Sequence, residues 1–351
     1  MARVFLHIGA HKTGTSYLQA MFHNNRALLA QHGLHYPDIG PNNAHHALAA
    51  PWLSTPDIPD SFFGSRGRAG PWDMLTERYA RAPGTVFLSA ENFSRVRPQR
   101  VNMRELADRL RPFDEVRIVY TMRQQADLVQ SLWMQVAKGD RVPLLRKYVE
   151  TALEDRRGAG VPIDHTSVYS DLLTGFDPQQ ILLVDYNSLR RAEGGIVGHF
   201  LRLMGCDLDA DALAPLTSIE RANVSPDPIA LYMATEVTRQ QVPPAELVAL
   251  IAQVVRPAGS PPASLLSRSE YNKMRNRFVH SNTTLAERVQ PVQPGFTFDP
   301  GRVPADLFCR DDLTAEHWKR VAQALFAPPP PPQHDMADTV PSLLRRFLPG
   351  G

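Results

Sequence analysis

Cysteine is nearly missing: 351 residues carry only Cys206 and Cys309. Two thiols so far apart form no C-x-x-C pair and no zinc-ligand spacing, so a disulfide framework and a cysteine metal site are both excluded as organising features. Long apolar runs are missing too. No stretch of about 18 apolar residues exists, which excludes a membrane-spanning helix by sequence. The N-terminal MARVFLHIG has one arginine and an apolar run too short for a secretory core with its cleavage site. Charge of one sign is also scarce. A formal net charge of +2 over this length gives no concentrated basic face, so nucleic acid is not an expected partner. A cytoplasmic enzyme or binding protein is the expectation.

Hydrophobic content of 43% and charged content of 21% are instead those of an ordinary globular chain with one large core. Apolar runs at Val4–Ile8, 85–89, 116–121 and 181–184 read as strands buried on both faces. Helical periodicity lies between them. A helix from Thr15 carries Leu18, Met21, Phe22, Leu28 and Leu29 on one face and stops at His32-Gly33. Further helices are expected near 104–110, 126–138 and 196–204. Strand and helix in alternation predict an α/β fold, a parallel sheet flanked by helices. Residues 36–73, rich in Pro, Gly and Asn, read as an excursion over the sheet edge. Their Trp52, Phe62, Phe63 and Trp72 either stack on a ligand or pack the loop down, and packing is the reading preferred here. Beyond about residue 210 the pattern turns helical and irregular. The expected organisation is one domain over 1–326, with an α/β core at 1–205 and a helical part at 206–326 completing the site. The proline run in APPPPPQHD makes 327–351 a linker and tail.

The first strand runs into Gly9-Ala-His-Lys-Thr-Gly-Thr-Ser16 and then a helix. A glycine turn feeding a helix N-terminus aims several backbone N–H groups and a partial positive charge at one point, a ready anion site. The usual nucleotide loop is G-x-x-x-x-G-K-[ST]. Gly9 and Gly14 keep that separation, but Thr15 stands where the lysine belongs and Lys12 comes two residues before the second glycine. Such a lysine suits a shorter, single-anion group rather than a β,γ-phosphate with its metal. Ligands in open α/β sheets bind at the carboxyl edge of the strands. Gly9–Ser16, 89–92 and 122–131 are therefore expected to share one crevice.

At HKTGTSYLQ the sequence resembles the sulfotransferases that use 3′-phosphoadenosine 5′-phosphosulfate (PAPS). The resemblance is specific at this loop and at VYTMRQQADLVQS, and loose over the rest of about 3–205. It implies sulfuryl transfer to an acceptor hydroxyl, without a required metal. Lys12, Thr13, Gly14, Thr15 and Ser16 would bind the 5′-phosphosulfate. Arg123 and Ser131, eight residues on, would bind the 3′-phosphate. RNRFVHSN further resembles bacterial members, so Arg277, Ser281 and Asn282 are candidates to close over the nucleotide. Lys12 would carry charge growing on the leaving oxygen. Glu91, after the second strand, is the first candidate for the base, with His11 and His46 as competitors and His45 beside them. His7 alternates into the strand core, and Asp185 is read as structural. The acceptor is expected to be a saccharide or glycolipid hydroxyl, or else a small alcohol or phenol. An ATP-dependent phosphotransferase and a non-catalytic nucleotide-binding module are the alternatives. Oligomeric state is not encoded in any feature identified.

Overall fold

The computed structural model describes residues 1–139, 142–216, 225–298, 301 and 303–326. The proline-rich segment 327–351 lies outside them. Five parallel strands form the central sheet: β1 (Ala2–His7), β2 (Leu34–His35), β3 (Gly84–Ser89), β4 (Glu115–Met122) and β5 (Ile181–Asp185). Their spatial order is β2-β3-β1-β4-β5. β1 sits in the middle because Val4 and Leu6 on one face and Phe5 and His7 on the other are all buried, and only a central strand offers cover on both faces. Its register with β3 runs from Ala2↔Gly84 to His7↔Ser89, so the two strands end level. The amides of Ile8 and Ala10 continue the ladder onto the carbonyls of Val119 and Thr121. The carboxyl ends of β3, β1 and β4 thus stand side by side. The expected α/β fold and the four expected strands are present.

Helices α1 (Thr15–Asn24), α2 (Gln125–Val136), α3 (Tyr186–Arg191) and α4 (Gly195–Leu203) follow β1, β4 and β5. Leu18, Phe22, Phe87, Val197, Phe200 and Leu201 build the core on one side of the sheet. The larger core on the other side takes in Trp72, Tyr120, Trp133 and the C-terminal helices at 228–237, 245–255 and 315–325. A long helix, α5 (Arg268–Val289), carries a capping box of Ser267 and Glu270 and contributes Met274, Phe278 and Leu285 to this core.

Two expectations need correction. The first helix does not run unbroken to His32: it ends at Asn24 and restarts at Arg26. Asn25 is the cause. Its amide donates to Met21 O and also pairs with the backbone of Ala214, a contact 189 residues away. Residues 36–73 are not a surface excursion. Ile39, Leu48, Ile58, Phe63 and Trp72 are buried, and Trp72 Nε1 donates to Leu48 O at 2.7 Å. Trp52 lies edge-on to Trp72 and Phe93. The indoles are packing groups, as preferred from sequence.

Candidate active site

The glycine loop takes a shape that its residues explain. Gly9 has φ +38, and a Cβ there would stand 3.1 Å from Thr15 Cγ2 and 3.3 Å from His7 Nε2. Gly14, at φ +76, caps α1 in the left-handed region, where only glycine is unstrained. Thr13, fully buried, spends its hydroxyl on Ala10 O at 2.7 Å, a brace across the turn. Lys12 is also left-handed, at φ 67, an unusual conformation for a residue with a Cβ. Strain of this kind collects where the surroundings over-determine it. Here Arg123 Nη1 donates to the Lys12 carbonyl and holds it. The Lys12 ammonium reaches Gln135 Oε1 on α2 at 3.3 Å. Burial lowers its pKa, with Lys138 and Arg123 adding to the fall.

Arg123 follows β4 and lies over the Tyr186 ring, 5.3 Å from its centroid. Burial lowers its pKa, and Asp127 opposes that. One of its five N–H donors is spent on Lys12, so a fork of donors is left at the sheet edge. Ser131 follows on α2, 8% exposed. His165, unnoticed in the sequence, fixes this region. Its Nε2–H donates to the Arg123 carbonyl at 2.8 Å, and its Nδ1 accepts from Tyr120 Oη at 2.9 Å. A lone histidine after an Asp cap carries no local sign of that role.

Glu91 begins the turn after β3. Its Oε2 accepts from His46 Nε2 at 3.3 Å and from Gln19 Nε2 at 3.1 Å. Burial pushes the carboxyl upward, but the hydrogen bond from His46 and the charges of His46 and His11 outweigh it and hold the pKa below the ordinary carboxylate value. Gln19 also touches Ser89 O and Oγ, so it ties α1 to β3 and aims Glu91. A polar residue within the apolar face of Leu18 and Phe22 was the available signal for it. His11 has its pKa lowered to about 4, first by burial, and its Nε2 is buried without a partner.

The neighbouring histidines part company. His45 is consumed by structure: Nε2–H donates to Pro37 O at 2.8 Å, and Nδ1 accepts the Ser89 amide at 3.0 Å. His46 faces the cleft instead. His7 is core, bridging Ser89 Oγ and Thr121 Oγ1 at 3.0 Å each. Asp185 caps α3 through the Asn187 and Ser188 amides. On α5, Asn282 forms a reciprocal amide pair with Gln125, at 2.9 and 3.1 Å, and Ser281 Oγ donates to Phe278 O. Arg277 is exposed. Thus Ser281 and Asn282 are engaged in packing α5 against the start of α2, whereas Arg123 is bonded to the loop at Lys12 and Glu91 is bonded to Gln19 on the helix that the loop feeds. Cys309, Asp311 and Asp312 are the one group with metal-ligand proximity among the described residues. Arg268 takes up both carboxylates.

No family model matches the chain, and no curated protein matches it. Solved structures do. A sulfotransferase from Alicyclobacillus acidocaldarius is 16% identical, with 68% of this chain and 94% of that one covered and a TM-score of 0.39. The sulfotransferase domain from the curacin biosynthetic pathway is 10% identical, with coverages of 79% and 97% and a TM-score of 0.39. Mouse sulfotransferase SULT7A1, crystallised with PAP, is 12% identical, with 67% of each chain covered and a TM-score of 0.34. Among the described residues no helix is long and apolar enough to cross a membrane.

Proposed function

We propose that the chain is a PAPS-dependent sulfotransferase. The observation that carries the reading is the meeting of Lys12, Arg123 and the Glu91–His46 pair at one sheet edge, linked through Gln19 by hydrogen bonds between four segments distant in sequence. Bound PAPS would supply an activated sulfuryl group. The amides of Thr13–Ser16 and the α1 N-terminus hold its 5′ anion, and Lys12 offers a cation to the leaving oxygen. Arg123, with Ser131, holds the 3′-phosphate through its open fork. Ser281 and Asn282 support that site from α5, since the Asn282–Gln125 pair anchors the residue two after Arg123. No metal takes part.

For the base, the reading divides two of the candidates by role. A carboxylate held below its usual pKa is a poor proton acceptor near neutral pH. Glu91 acts better as the group that takes His46 Nε2–H, leaving Nδ1 as the basic nitrogen, an arrangement like the carboxylate–imidazole pair of a hydrolytic triad. His46→Gln should cut kcat about 10²-fold without changing PAP affinity. Glu91→Gln should cost less. Loss confined to Glu91→Gln in a rate assay would return the base to the carboxylate.

The donor is tested by calorimetry without magnesium. PAP (adenosine 3′,5′-bisphosphate, what PAPS leaves behind) should bind, and Arg123→Ala should weaken it about 10²-fold; AMP, which has no 3′-phosphate, should lose clearly less, and what it loses reports the released Lys12 carbonyl. Binding of ATP in preference to PAP would favour the phosphotransferase instead.

A further inference from the structure

A cleft of about 370 Å³ opens beside His46, between residues 42–58 and 91–99. Its size lies toward the lower end of small-molecule sites, which span roughly 300–1,000 Å³. Three buried polar atoms of residues that line it have no partner: His11 Nε2, Thr55 Oγ1 and Asn92 Oδ1. Buried polar groups are almost always satisfied, so three orphans around one cleft mark a surface made for a polar occupant. Two cations line it as well. Arg95 donates to Ala159 O at 2.9 Å and lies near enough to His11 to act on its charge. Arg97 is exposed and lines the cleft. Among the described residues the one acid lining the cleft is the exposed Asp57, because Glu91 is turned to His46 and Gln19. Leu53 and Ile58, both buried, supply an aliphatic wall. Apart from the imidazoles, no aromatic side chain lines the cleft among the described residues. The tryptophans that could have stacked on a sugar are packed elsewhere.

From this we infer that the cleft is the acceptor site and that the acceptor is a small hydroxy acid: its hydroxyl lies at the His11–His46 end and its anionic group at Arg95 and Arg97. The inference rests on the sulfotransferase reading for the word acceptor, but the anion cleft can be tested apart from it. A planar guanidinium distinguishes a carboxylate from its amide strongly, since the amide brings no charge and only one acceptor oxygen. The aliphatic wall accommodates the carbon skeleton between the two ends, and the orphaned Thr55 and Asn92 atoms are available for further hydroxyls.

The experiment is calorimetry on the full chain, first with PAP and then, on the PAP-saturated protein, with matched pairs of probes. These are glucuronate and glucuronamide, 4-hydroxybenzoate and 4-hydroxybenzamide, 6-hydroxyhexanoate and its amide. In at least one pair the acid should bind about tenfold tighter or better. Arg97→Gln, a change at an exposed side chain, should bring that ratio to within about threefold and leave PAP binding as it was. Arg95→Gln should act in the same direction. Equal binding of acid and amide in every pair, or an acid preference that survives in both variants, overturns the inference. Acid preference without any PAP binding would keep the anion cleft and remove the sulfotransferase reading, so the two failures are distinct.

Discussion

Lys12→Ala should lose about 10³-fold in kcat while unfolding at nearly the wild-type temperature. The half-buried ammonium makes one side-chain contact, a long one to Gln135 at 3.3 Å, so little folding energy depends on it. Under the proposed function its value lies in the reaction. A preorganised donor facing a developing oxyanion is worth about 10²–10³ in rate, and a full cation aimed at a leaving oxygen belongs at the upper end. The backbone sharpens the test. At φ 67 any L-residue at position 12 is strained by roughly 1–2 kcal/mol, and glycine is not. Lys12→Gly should therefore be at least as stable as Lys12→Ala and equally inactive. The Arg123 contact survives in both, because it is made to the backbone carbonyl. A single-turnover assay with thermal melts separates the outcomes. Full turnover in Lys12→Ala would remove the lysine from the mechanism, and a collapsed melting temperature would make its role structural.

The parts legible in the sequence were those governed by local patterns. Apolar runs marked β1, β3, β4 and β5, and the glycines at Gly9–Ser16 marked the tight turn into α1, because both follow from nearest neighbours. The two-residue strand β2 left no such trace: Leu34 and His35 are a strand only through pairing with Thr85 and Val86. The break at Asn25 needed a partner at Ala214. His45 and His46 are adjacent and identical in type, yet one is locked against Pro37 and Ser89 and the other faces the cleft. No local rule distinguishes them, since the difference comes from a loop closing on β3. The same holds for Gln19 and His165, whose roles exist only once α1 meets β3 and residue 165 meets the end of β4. Residues 36–73 misled for a compositional reason: Pro, Gly and Asn are needed to turn a chain sharply inside a core as well as outside one.

Stability should fall steeply on acidification well before the carboxylates titrate. His7, His45 and His165 are each buried and hydrogen-bonded, with pKa values lowered from 6.5 to about 4, burial being the largest cause. In the unfolded chain each takes a proton near pH 6.5. Between 6.5 and about 4 the unfolded state therefore binds more protons than the folded one, and unfolding gains ground as pH drops. Above pH 7 all three are neutral in both states and contribute no slope. At pH 5 each costs on the order of 2 kcal/mol, so the three together cost roughly 6 kcal/mol. That is comparable with the whole stability of a typical domain, about 5–15 kcal/mol. Glu91 works in the same direction but lower down: its depressed pKa contributes stability that is lost only as pH falls below the ordinary carboxylate range. Urea denaturation at pH 8, 7, 6 and 5 should give a flat stability from 8 to 7 and a sharp decline after it, with net proton uptake on unfolding near pH 5. The three histidines share one location, the junction of β1, β3 and β4 that carries the loop, Glu91 and Arg123, so loss of PAP binding should accompany the decline. A stability at pH 5 equal to that at pH 8 would mean that these imidazoles are not held neutral in the folded protein.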